Sequence, residues 1–266
     1  LVENIPALKM PPKEGSVTFA VNGTPRMIVD IFIPCYIDQF FPDTAWNMIK
    51  VLESVGCAVN YNPEQTCCGH PAFNAGHWDD SKEVGEKFIR EFLNDRYIVV
   101  PSSSCVAFIR NQYPEMFHNS VLHNEFKQIQ RNLFEFSDFL VNVLKITNVG
   151  ASLAGKAVFM DTCASLRNYG LRKEPRILLE KVKGLELVEL PDAETCCGFG
   201  GFFATKYEPV SVAMAEEKVT HALSVEAEYL IATDSSCLMH LDGFIKSAYK
   251  PLKVMHLADV LASGWL

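Results

Sequence analysis

The sequence predicts an α/β protein in which one unit is built twice: two duplicated parallel-sheet α/β domains related by pseudo-two-fold symmetry. Three observations carry this expectation. Short apolar runs alternate with amphipathic helical stretches, the pattern of strands joined by crossover helices. The doublet Cys67-Cys68-Gly69 recurs as Cys196-Cys197-Gly198, and self-similarity at a fixed offset marks a repeat. Around each doublet stand single cysteines at nearly the same spacings, Cys35 and Cys105 in one half and Cys163 and Cys237 in the other.

Residues 1–26 fit this scheme poorly. Pro6, Pro11, Pro12, Gly15, Gly23 and Pro25 interrupt them, leaving room for a short edge strand at Ser16–Val21 before an Asn22-Gly23 turn. We expect a leader or appendage there, a first cysteine-rich domain over 27–148 and a second over 149–266. In the first, Ile28–Ile33 reads as a strand buried on both faces. Asp43 is expected to cap a helix with apolar positions Trp46, Ile49, Leu52 and Val55, stopped by Gly56. Cys57–Tyr61 is the second strand, Trp78–Leu93 a charged amphipathic helix and Tyr97–Val100 the third strand. A further helix opens at Cys105–Asn111, Pro114–Asn132 is an irregular insertion with helical pieces, and a helix follows around Phe134–Leu144.

The second domain repeats that order. Strands are expected at Lys156–Met160, Leu185–Glu189 and Tyr229–Ala232, helices at Pro175–Val182 and Val210–Leu223, and a short strand and helix within Val254–Leu261.

Composition excludes some classes of function. A net charge of −8 without a Lys/Arg cluster gives no electrostatic footprint for nucleic acid. No apolar run approaches the ~18 residues of a membrane span, and residues 1–26 lack the pattern of a secretory signal. We therefore expect a cytoplasmic protein. In that compartment nine cysteines point to metal or redox chemistry before disulfides.

Eight of the nine lie just past the carboxyl end of an expected strand, where parallel sheets bind ligands. Several sit at helix starts, whose dipole favours thiolates. The candidate metal ligands are thus Cys35, Cys67, Cys68 and Cys105, and Cys163, Cys196, Cys197 and Cys237. Isolated Cys57 suits the core. Zinc ligands commonly arrive as pairs separated by two to four residues, whereas adjacent thiolates suit a cluster that offers several metal atoms. A [4Fe–4S] cluster is the preferred cofactor, with zinc in one or both sites the alternative. Gly198, Gly200 and Gly201 would let the backbone approach a cluster, and Phe199, Phe202 and Phe203 would shield it.

The phrases Gln65-Thr66-Cys67-Cys68-Gly69, Pro101-Ser102-Ser103-Ser104-Cys105, Thr195-Cys196-Cys197-Gly198-Phe199-Gly200-Gly201 and Val254-Met255-His256 resemble the lactate utilization protein A family. The wider cysteine pattern is similar to the CCG domains of heterodisulfide reductase and of the iron–sulfur subunits of glycolate oxidase and anaerobic glycerol-3-phosphate dehydrogenase. The resemblance implies a component of a multi-subunit system oxidising L-lactate to pyruvate, beside a ferredoxin-type iron–sulfur subunit and a third subunit. Fully equipped repeats of the wider family end in Cys-x-x-Cys, which supplies a fifth thiolate for a noncubane cluster. Phe108 and His240 stand there instead, so Phe108 cannot ligate and His240 is a candidate additional ligand. Two other functions compete with an electron-transfer subunit: a thiol–disulfide oxidoreductase using the vicinal cysteines, and a non-enzymatic zinc-binding scaffold. No catalytic residue is assigned.

Overall fold

The computed structural model describes residues 27–265; the leader and its expected edge strand lie outside them. Two four-stranded sheets form, wholly parallel and with the same strand order. The first runs β2 (Cys57–Tyr61), β1 (Met27–Ile31), β3 (Tyr97–Val100), β4 (Leu133–Glu135). The second runs β6 (Lys183–Glu189), β5 (Ser152–Phe159), β7 (Tyr229–Ala232), β8 (Lys253–His256).

In the first half the helices are α1 (Cys35–Phe40), α2 (Pro42–Ser54), α3 (His70–Asn74), α4 (Trp78–Glu91), α5 (Ser103–Met116), α6 (His123–Asn132) and α7 (Phe136–Asp138). In the second they are α8 (Lys173–Leu179), α9 (Phe202–Lys206), α10 (Glu208–Ser224), α11 (Ser235–Ser247) and α12 (Leu257–Leu261). Phe139–Val143 and Ala164–Tyr169 are wound as π-helical turns.

The halves pack through exchanged equivalents. Helix α2 packs on α12 while its counterpart α8 packs on α7, and α5 packs on Ala164–Tyr169 while α11 meets α1. That reciprocity is what a two-fold relation between duplicated units requires. One apolar core lies between the sheets and draws on both halves, with Val29, Ile31 and Leu52 from one and Phe159, Leu178 and Leu261 from the other. Each sheet also buries an outer layer, Phe88, Phe92 and Val106 in the first half and Val219, Leu238 and Leu241 in the second. Alternate residues of a strand feed opposite layers, which is why these strands read as continuous apolar runs.

Three expectations need correction. The stretch expected as a helix from Phe134 opens with β4, which pairs with β3 (Val99 beside Phe134, Val100 beside Glu135) before the chain turns helical. Asp43 lies in the first turn of α2 and is not its cap, because Pro42 takes the first helical place after Phe41. Pro114 does not begin an irregular insertion but sits inside α5. A proline there removes the N–H that would bond the carbonyl of Arg110, and Gln130 Nε2 donates to that carbonyl instead at 2.9 Å. Among the described residues no helix is long and apolar enough to cross a membrane.

Candidate metal centres

Each cysteine stands where a strand releases the chain. Cys35 opens α1 after Pro34, Cys67 and Cys68 occupy the loop between β2 and α3, and Cys105 lies in the first turn of α5. Cys163, the loop pair Cys196 and Cys197, and Cys237 in the first turn of α11 repeat this. The structure brings each set together. Cys67 Sγ lies 3.8 Å from Cys35 Sγ, and Cys68 is in thiol contact with both Cys67 and Cys105. In the second half Cys196 contacts Cys163, and Cys197 contacts Cys196 and Cys237. All nine cysteines are free thiols. Cys57 is buried in the core at the start of β2, where burial lifts its pKa to about 11.

Within each set one thiol is poised as the anion. Hydrogen bonds from Cys35 and Cys68 hold Cys67 far below the usual thiol range, helped by the Gly69 N–H, which donates to its sulfur at 3.4 Å. Cys196 is depressed by Cys163, Cys197 and the Gly198 N–H at 3.4 Å, with the Arg167 charge assisting. The donors are correspondingly raised, Cys35 by its bond to Cys67 and Cys163 by its bond to Cys196, with burial adding to both. A chain of touching thiols does not close on one small ion, and among the described residues no group of three or more His, Cys, Asp or Glu does so. The donor chemistry fits a group with several metal atoms, which lets adjacent thiolates bind different ones.

Several residues outside the cysteine pattern fix these loops. Gln65 Oε1 accepts from Ile33 N at 2.7 Å and its Nε2 donates to Asn62 O at 3.0 Å, tying the first doublet loop to the end of β1. Ser81 Oγ donates to Gly69 O at 3.0 Å, and its counterpart Ser211 donates to Gly198 O at 2.8 Å. Tyr113 Oη donates to Cys68 O at 2.8 Å. The repeat could have revealed the two serines, which stand at equivalent places on α4 and α10.

The glycine run behaves unevenly. Gly198 has φ +91°, and a Cβ there would meet Ser211 O at 2.6 Å and Met214 Cβ at 2.9 Å, so packing against α10 already demands glycine. Gly200 (φ +50°) turns toward Phe203, whereas Gly201 (φ +59°) faces open space. His240 Nε2 lies 3.2 Å from Ser211 Oγ and 3.3 Å from Ser211 O, so that nitrogen is already engaged. Phe108 is buried and stacks on His70 at 4.7 Å between ring centroids.

A family profile described as "Cysteine-rich domain" (CCG) matches residues 29–110 and again 157–242. "Lactate utilization protein A" of Geobacillus thermodenitrificans is 43% identical over 236 residues, covering 88% of this chain and 98% of that protein. The protein of that name from Halalkalibacterium halodurans is 44% identical, covering 88% of this chain and 96% of that one. Among solved structures, a hypothetical protein from Helicobacter pylori superposes with a TM-score of 0.57 at 9% identity, over 91% of this chain and 50% of that one. At that identity the likeness concerns the fold alone.

Proposed function

Because the chain belongs to the lactate utilization protein A family of cysteine-rich CCG-domain proteins, we propose that it serves lactate utilization as an iron–sulfur electron-transfer component. It works in the cytoplasm within a multi-subunit system that oxidises L-lactate to pyruvate, as an oxidoreductase subunit that acts only with its partners. Those partners are a ferredoxin-type iron–sulfur subunit and a third subunit. The observation that carries the reading is the convergence of four thiols in each half, one pulled below the usual thiol range by its neighbours.

Cys35, Cys67, Cys68 and Cys105 would hold one cluster and Cys163, Cys196, Cys197 and Cys237 another. When bound, a [4Fe–4S] group supplies a one-electron redox step. The chain's residues set its surroundings. Amides of Gly69 and Gly198 donate to Cys67 and Cys196, spreading charge off the sulfurs. Phe199, packed edge-on against Tyr36 of the other half at 5.7 Å, keeps water from the second doublet, and water access is one of the factors that set a cluster's potential. Gly201 leaves the backbone open beside it, and His240 would ligate through Nε2 only by giving up Ser211.

A second reading rests on the 3.8 Å approach of Cys35 to the Cys67 thiolate, a pair suited to thiol–disulfide exchange. Anaerobic purification followed by iron, sulfide and zinc analysis separates these readings. The proposal requires about four irons and four sulfides per loaded site. Zinc without sulfide identifies the scaffold, and metal-free protein with a reducible disulfide identifies the exchange enzyme.

A further inference from the structure

Asp234 precedes α11 as its N-cap residue, yet its side chain makes no bond to its own helix. It is 1% exposed and reaches across to the other half. Oδ1 accepts from Ser102 Oγ at 3.0 Å and from Ser104 N at 2.9 Å, and Oδ2 accepts from Ser103 Oγ at 2.6 Å and from Thr162 Oγ1. The carboxylate therefore caps α5 in place of α11.

Ser104 immediately precedes Cys105 and Thr162 immediately precedes Cys163. Cys237 lies in the first turn of the helix that Asp234 itself begins. One buried anion thus ties three cysteine-bearing turns, one from the first set and two from the second. The arrangement breaks the two-fold relation. Pro101-Ser102-Ser103-Ser104-Cys105 matches Thr233-Asp234-Ser235-Ser236-Cys237, so Ser102 stands where the second half has the acid. Ser235, the counterpart of the donor Ser103, is buried with no partner for its hydroxyl. The bonds to the carboxylate run one way across the interface, and Thr233 Oγ1 lies 3.1 Å from Ser103 Oγ beside them.

We infer that Asp234 is a positioning residue that locks both cysteine sets into one mechanical unit, so that a disturbance at either set's turn reaches the other through this carboxylate. The physical reason is that buried charge-assisted hydrogen bonds are strong and a carboxylate left short of donors is costly. When one donor goes, the carboxylate shifts toward those that remain, and the turns they belong to move with it. The inference concerns the thiols themselves and holds whichever metal they bind.

The test is alkylation of the metal-free protein by iodoacetamide, with each cysteine resolved by peptide mass spectrometry. Asp234→Ala is expected to speed modification of Cys105 and Cys163 together by about tenfold, the scale of one lost charge-assisted bond, while Cys57 in the core stays at its wild-type rate. The decisive variants act across the interface and leave the acid in place. Ser103→Ala in the first half speeds Cys163 in the second, and Thr162→Val in the second half speeds Cys105 in the first. The double change Ser102→Asp with Asp234→Ser moves the acid to the other side, where the Ser235 hydroxyl and the Ser236 amide can donate to it. It returns Cys105 toward its wild-type rate but not Cys163, because the residue in Thr162's place on that side is Pro34, which has no hydroxyl. If Ser103→Ala and Thr162→Val each change only the thiols of their own half, the coupling is overturned, and it stays overturned even if Asp234→Ala exposes Cys57 by unfolding the chain.

Discussion

The two thiol sets share a scaffold but differ in what surrounds them. Beside the first doublet the ring of His70 stacks on Phe108, and at the matching places the second half has Phe199 lying 6.0 Å from His240. The aromatic and the imidazole have changed places. Behind the doublets the contrast is one of charge. Phe88 on α4 joins the aromatic layer of Phe32, Phe92 and Tyr113, whereas its counterpart on α10 is Lys218, 1% exposed and donating to Asp192 O at 2.7 Å. Burial lowers the Lys218 pKa, while the nearby Cys197, Asp192 and Cys196 oppose that. With Arg167 beside Cys196, the second set has two cationic neighbours, and Phe88 stands in the first where Lys218 stands in the second. Duplication preserved the cysteines and let their surroundings diverge, which would give two clusters bound there unequal potentials.

The largest stability effect that probes this comparison lies in the doublet glycines. Gly198→Ala combines a left-handed backbone with a 2.6 Å clash on Ser211 O, and we expect a loss of about 2–5 kcal/mol. Gly69→Ala has a similar φ of +88°, but its nearest contacts, Ser81 O and Oγ, are at 2.9 Å, and it should lose roughly half as much. Urea denaturation of the metal-free variants measures both, and equal losses would mean that the two loops are packed alike.

A smaller effect comes from the residues that end β4 and β8. Glu135 and His256 stand at equivalent places, each capping the short helix that follows and each buried with one polar atom unpartnered. Burial raises Glu135 to about 8 from its ordinary 4.5. Its folded form therefore holds a proton that the unfolded chain releases, and stability falls as pH rises from about 4.5 to about 8. Burial lowers His256 below its ordinary 6.5, so there the unfolded chain takes the proton first and stability falls as pH drops below about 6.5. Glu135→Gln should flatten the first slope and His256→Asn the second, each by at most about 1.4 kcal/mol per pH unit. Denaturation between pH 5 and 9 reads both, and slopes of the same sign would break the pairing.

Much of this was legible because the signals are local. Cys57–Tyr61, Tyr97–Val100 and Tyr229–Ala232 are strands with the boundaries that their apolar runs suggest, and the cysteines follow strand ends in both halves. What stayed hidden depends on distant partners. Leu133–Glu135 is three residues long and becomes a strand only because β3 offers an edge. Pro114 stays helical because Gln130, on another helix, satisfies the freed carbonyl. Asp234 looks like an ordinary helix cap until the fold shows it capping the other half. Gly198 reads in the sequence as room for a cofactor, yet contact with α10 is sufficient reason for glycine there.

Anaerobic iron and sulfide analysis of folded Cys196→Ser and Cys67→Ser, reconstituted side by side, bears most directly on two unequal iron–sulfur sites. The account predicts that Cys196→Ser loses most of the iron and sulfide, because the second set has the cationic neighbours and the open backbone at Gly201. Cys67→Ser should lose less, since Phe88 replaces the lysine there and Pro71 follows the doublet with no amide to donate. Equal losses from the two variants would contradict the asymmetry, and wild-type protein that takes up neither iron nor sulfide would contradict the clusters themselves.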